Sequence, residues 1–130
     1  MKPERIVHIG LGAFFRAHQA VYTQHASDAK DWGIVAYTGR SAVLADQLRP
    51  QGCKYTLVVK TAAQDFFELI DSVVRVEAAE NVANLIETIS KPEIAIVTLT
   101  ITEAGYQPSS EPLEGYAIGR LALALDARRT

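Results

Sequence analysis

The residues best suited to chemistry lie at four places in the chain. Gly10 and Gly12, one residue apart, are followed by Ala13, Phe14, Phe15 and Arg16. A glycine pair of this kind lets the backbone turn tightly and approach a phosphate, and the free amides of a helix that starts there attract the anion. The third glycine of the full pattern would fall where Phe15 stands, so the spacing alone also fits a plain turn in another α/β domain. Arg40 and Ser41 offer a guanidinium fork and a hydroxyl, a pairing suited to a phosphate monoester. Thr100 and Glu103 lie in a polar stretch after an apolar run, and a carboxylate such as Glu103 in a half-buried cleft can have a raised pKa and serve a proton path.

Other reactive residue types carry weaker arguments. His18 and His25 are seven apart, about 10 Å along a helix, too far to share one zinc ion, and His8 lies in a strand. They are expected to be ordinary core or surface histidines, and no metal is expected. Cys53 is the sole cysteine, so no internal disulfide can form, and it is expected to be inert. Phe14, Phe15 and Trp32 are candidates for an adenine pocket, although such rings more often pack.

These residues need a scaffold. Residues 5–9 read as a strand, followed by the glycines and a helix from Ala13 to about Ala26. Residues 34–37 form a second strand, and Ser41 is placed to cap a helix over 42–48, which Pro50 to Gly52 end. Residues 55–60 and 66–76 are extended runs that form a hairpin, or a detour before the third parallel strand. Asn81 caps a helix bearing Val82, Leu85, Ile86 and Ile89 on one stripe. Residues 94–99 form a continuous apolar strand, then a loop over 100–112 and a last helix over about 113–128. Alternation of this kind predicts an α/β, Rossmann-like fold with a mainly parallel sheet. Right-handed crossovers place its parallel strands in the order 3-2-1-4, with an additional strand or hairpin and an incomplete edge beside the fourth.

The chain has 130 residues, 48% of them hydrophobic and 22% charged, with a net charge of −2. That is one domain with a real core. Nothing in the charge points to a nucleic-acid partner, and no run is long enough for a membrane helix. With no secretory signal in view, a cytoplasmic location is expected. The open sheet edge leaves self-association as an option.

Residues 6–20, Ile-Val-His-Ile-Gly-Leu-Gly-Ala-Phe-Phe-Arg-Ala-His-Gln-Ala, resemble the opening signature of the mannitol dehydrogenase family of long-chain polyol and hexuronate dehydrogenases. Residues 98–106, Thr-Leu-Thr-Ile-Thr-Glu-Ala-Gly-Tyr, are similar to a second signature of that family, and residues 55–59 match at the corresponding place. The pattern departs at Phe15, where members commonly carry histidine. The resemblance implies a dinucleotide-binding N-terminal domain over 1–130. It implies NAD- or NADP-dependent oxidation of a secondary alcohol of an open-chain sugar derivative, and the reverse. It also implies that the catalytic lysine, with its asparagine and histidine helpers, belongs to a C-terminal helical domain absent from these residues. Lys30, Lys54, Lys60 and Lys91 have no such neighbours, and Lys2 is at the terminus. The chain alone is therefore expected to bind cofactor without turnover. No acid follows the second strand, since Asp28 and Asp31 precede it, so Arg40 and Ser41 tilt the reading toward NADP. A non-catalytic nucleotide sensor is the alternative; a methyltransferase-like domain is disfavoured by Arg40 standing where that class needs an acid.

Overall fold

The computed structural model describes residues 1–101. Four parallel strands form the main sheet: β1 (Glu4–Ile9), β2 (Gly33–Tyr37), β5 (Val73–Glu77) and β6 (Ile96–Leu99). Their order is β5-β2-β1-β6, the 3-2-1-4 arrangement expected for the parallel strands. Between β2 and β5 the chain makes an antiparallel hairpin, β3 (Tyr55–Lys60) with β4 (Asp65–Ile70). The helices are α1 (Ala13–Ala17), α2 (Gln19–His25), α3 (Val43–Leu48) and α4 (Val82–Ser90).

Alternation along the strands sends side chains to two separate cores, one on each face of the sheet. Ile6, Ile34, Ala36 and Val76 pack with Leu11, Phe15, Ala20, Val21, Ala45 and Leu48 from the α1–α3 side. Val7, Ile9, Val35 and Tyr37 pack with Leu85 and Ile89 of α4 on the other. Arg75 of β5 crosses the sheet to hold both carboxylate oxygens of Glu4 at 2.8 and 3.1 Å, and also meets Glu77 and Thr88.

Several element boundaries differ from the sequence expectation. The first helix breaks at His18. There the ring Nδ1 donates to the Phe14 carbonyl at 2.8 Å, the acceptor that a continuous helix would give to the His18 amide. The Tyr55 hydroxyl takes the next free carbonyl, that of Arg16, at 2.7 Å. The extended run over 66–76 is two strands in two sheets. Ser72 is buried between them; its hydroxyl donates to the Ala20 carbonyl at 2.7 Å and its carbonyl accepts from the Ile34 amide at 2.9 Å. The third parallel strand is therefore Val73–Glu77. α3 starts at Val43, one residue late, although the Ser41 hydroxyl does accept from the Val43 amide at 3.3 Å. β6 starts at Ile96 because Ile94 closes a turn onto the Lys91 carbonyl at 3.1 Å. Among the described residues β6 is an edge strand, with Ile96 exposed. The loop after Ile101 and the last expected helix lie outside the described residues.

Candidate cofactor site

The site grows from the register of the sheet. Ile9 pairs with Tyr37 on one side and Leu99 on the other, while Tyr37 pairs with Glu77. All four parallel strands therefore end level, and the loops beginning at Gly10, Thr38, Ala78 and Thr100 share the carboxyl edge. In open α/β sheets ligands bind at this edge, where the strand order reverses. Here the reversal falls at β1, between β2 and β6, and β1 leads directly into the glycine turn.

The turn is pinned from below. The amides of Gly10 and Leu11 both donate to the Tyr37 carbonyl at 2.9 Å, and buried Leu11 anchors the loop in the core. Gly10 has φ +111°, a conformation that side-chain-bearing residues rarely adopt. A Cβ there would also lie 3.2 Å from the Thr100 carbonyl oxygen, so Thr100 and Gly10 are pressed together. Gly12 differs. Its φ of −117° suits any residue, and the nearest atom to an added Cβ is the Gly10 oxygen at 3.7 Å. Nothing inside the described protein requires glycine at that position. It lies at the start of α1, ahead of the first helical bond, from the Arg16 amide to the Gly12 carbonyl at 3.0 Å. Amides in such a position have no partner within their helix.

The residues expected to contact a cofactor fall in different places. Ala13 and Phe14 are exposed beside the turn, with Phe14 stacked on His18 at 4.3 Å between ring centroids, and the Arg16 guanidinium folds back so that Nε donates to the Gly12 carbonyl at 3.3 Å. Phe15 points inward. It is 1% exposed and stacks on His8 with ring centroids 3.9 Å apart, so its side chain packs and only its backbone faces the turn. Burying a phenyl ring in this way contributes about 1.5–3 kcal/mol. Arg40 and Ser41 are exposed after β2, at the same edge as the turn. Thr100 is exposed beside Gly10, whereas Glu103 lies outside the described residues. Trp32 precedes β2, at the opposite end of the sheet; its Nε1 donates to Asp28 at 2.8 Å and Arg5 lies over its ring. Asp28 and Asp31 share that far end.

Two residues at this edge carried no signal in the sequence. His8 is buried under the turn. Its Nδ1 is 2.8 Å from the Thr98 hydroxyl, and its Nε2 is 3.0 Å from the Thr100 hydroxyl and 3.3 Å from the Gly10 carbonyl. Burial pushes its pKa down to about 4, against a smaller upward pull from the Gly10 carbonyl. The ring is therefore neutral near pH 7. Thr38, directly after β2, is also buried, and its hydroxyl has no hydrogen-bond partner among the described residues. Elsewhere, Cys53 is buried with its thiol pKa raised by burial, and His25 is paired with Glu68. No group of three or more His, Cys, Asp or Glu side chains among the described residues is placed to hold a metal ion, and none of their helices is long and apolar enough to cross a membrane.

Four level parallel strands, a core on each face and a glycine turn at the point of reversal define a Rossmann-like α/β domain. The chain belongs to the family described as the mannitol dehydrogenase Rossmann domain, which it matches over residues 4–130. It is 38% identical over 112 residues to the D-mannonate oxidoreductase of Escherichia coli strain K12, an alignment that covers 78% of this chain and 22% of that protein. It is 36% identical over 109 residues to the mannitol 2-dehydrogenase of Aspergillus terreus, covering 79% of this chain and 22% of that one. Its fold matches Pseudomonas fluorescens mannitol 2-dehydrogenase, solved as a ternary complex with NAD and D-mannitol, with a TM-score of 0.84 and 30% identity. That match covers 98% of this chain and 31% of the neighbour. The chain thus spans well under half the length of the relatives it matches.

Proposed function

We propose that these 130 residues form the cofactor-binding domain of an NAD- or NADP-dependent oxidoreductase that interconverts a sugar alcohol or hexonate with its keto form. The observation that carries this reading is Gly12, a glycine with an ordinary backbone and no close neighbour, at the start of a helix on the carboxyl edge. A residue of that kind is explained by something outside the chain that approaches its backbone. The NAD and D-mannitol held by the Pseudomonas fluorescens neighbour support a nicotinamide dinucleotide and a polyol as the ligands.

In this reading the Gly12 and Ala13 amides meet the pyrophosphate, with Arg16 as a nearby positive charge. Thr100 flanks the turn on the side where strand order reverses. The bound nicotinamide supplies hydride transfer. No described residue is assigned to proton transfer, so the domain binds and orients cofactor, and the 130-residue chain is expected to show no polyol turnover. Glu103 is kept as a candidate for a proton path.

Arg40 and Ser41 support a preference for the 2′-phosphate of NADP, since both are exposed just after β2 and the sequence has no acid between that strand and Asp46. Fluorescence titration with NADH and NADPH tests this. Arg40→Ala is expected to weaken NADPH binding about tenfold or more, from loss of a charge-assisted hydrogen bond, and to leave NADH binding nearly unchanged. Equal NADPH affinity in the two proteins would remove the phosphate assignment.

A further inference from the structure

His8 is a buried polar ring in a strand otherwise committed to the core, and only one of its two neutral tautomers hydrogen-bonds the backbone of the turn. The Gly10 carbonyl, 3.3 Å from Nε2, can only accept, so it is bonded by the ring only when Nε2 carries the proton. In that tautomer Nδ1 accepts, and the Thr98 hydroxyl 2.8 Å away donates to it; donation to its other acceptor, Gln19 Oε1 at 3.1 Å, goes with a proton on Nδ1 and leaves the Gly10 carbonyl without this bond. Having given its proton, the Thr98 oxygen accepts from Gln19 Nε2 at 2.9 Å. The result is a donor chain from Gln19 through Thr98 and His8 to the Gly10 carbonyl and the Thr100 hydroxyl. It ties α2, β6 and β1 to the turn, with Phe15 stacked on the ring to hold its orientation.

The end of this chain matters because of which peptide it grips. The Leu11 amide, on the same peptide unit as the Gly10 carbonyl, donates to the Tyr37 carbonyl at 2.9 Å. The Gly10–Leu11 peptide is thus held at both poles, by His8 and by Tyr37, and cannot flip without losing both bonds. That peptide sets the path of the backbone into Gly12. We propose that His8 is a positioning residue which, as its Nε2–H tautomer, presets the Gly10–Ala13 backbone for a dinucleotide phosphate. The proposal rests on the cofactor reading above. A residue needed only to fill the core beneath the turn would require no hydrogen-bonding nitrogen at Nε2.

The test uses the full chain in two measurements. Ring 1H–15N correlations at neutral pH are expected to show His8 protonated at Nε2 and bare at Nδ1; the opposite tautomer overturns the proposal. NADH and NADPH titrations then compare wild type with His8→Gln, His8→Asn and His8→Phe. Glutamine places a donor near the Nε2 position and is expected to stay within about threefold of wild type, whereas asparagine and phenylalanine lose about tenfold, the scale of one hydrogen bond. Equal affinity in all three, or equal loss in Gln and Asn, overturns it. Should those variants fail to fold, Thr98→Val removes the donor that fixes the tautomer; a several-fold loss supports the proposal and wild-type affinity contradicts it. A wild-type chain that binds neither nucleotide defeats the cofactor reading itself, an outcome distinct from variants that bind like a binding-competent wild type.

Discussion

The two glycines of the turn answer to different forces. Gly10 is held at φ +111° with Thr100 against it, and Gly12 has room and an ordinary backbone. Gly10→Ala is therefore expected to cost on the order of 2 kcal/mol in urea unfolding, the scale of a strained backbone. Gly12→Ala is expected to cost less than about 1 kcal/mol, as a helix-cap change, yet to weaken NADH and NADPH binding tenfold or more. Wild-type affinity in Gly12→Ala would mean that no ligand uses that approach. His8 adds a pH dependence. Its ring takes a proton near the ordinary 6.5 when unfolded but near 4 when folded. Between those values the unfolded state binds more protons, so this contribution is complete above about pH 6.5 and is lost as pH falls toward 4, by roughly 3 kcal/mol in all. Urea midpoints across this range should fall more steeply for wild type than for His8→Gln; parallel curves would contradict a buried neutral ring. The turn itself was legible because glycines between a strand and a helix have few other uses. The role of His8 was not, because it depends on Thr98, 90 residues away, and no local pattern reports that pairing.

At the level of elements, the hairpin shows how packing decides what composition leaves open. Its base enters the core through Ile70, Tyr55 and Leu57, while Phe67, 70% exposed, Leu69 and Val58 face outward. Ile70→Ala is expected to lower stability by about 2–4 kcal/mol, the cost of emptying a filled core position. Phe67→Ser should change it by no more than about 0.5 kcal/mol. Chemical denaturation of the two variants checks this, and equal losses would place the wrong face inward. The sequence marked residues 55–60 and 66–76 as extended, since β-branched and aromatic runs favour strands. It did not reveal that the second run changes sheets at Ser72, because alternation says which face is apolar and not which strand is the neighbour. The break at His18 was hidden for a similar reason: helical spacing continues through it, and only the ring's bond to the Phe14 carbonyl interrupts the ladder.

Across the whole domain, one feature makes a site possible. The parallel register brings the ends of four strands level, so that residues from distant parts of the chain, Gly10, Thr38 and Thr100, open onto one edge. Alternation of strands and helices was enough to anticipate the strand order, because right-handed crossovers leave few other arrangements. The central claim is that a nicotinamide dinucleotide lies against the turn between β1 and α1. Amide 1H–15N shifts recorded during NADH and NADPH titration test it most directly. The expected result is saturable change greatest at Gly12, Ala13 and Phe14, with a second group at Arg40 and Ser41. Saturable change confined to other residues, or none with either nucleotide, would contradict the account.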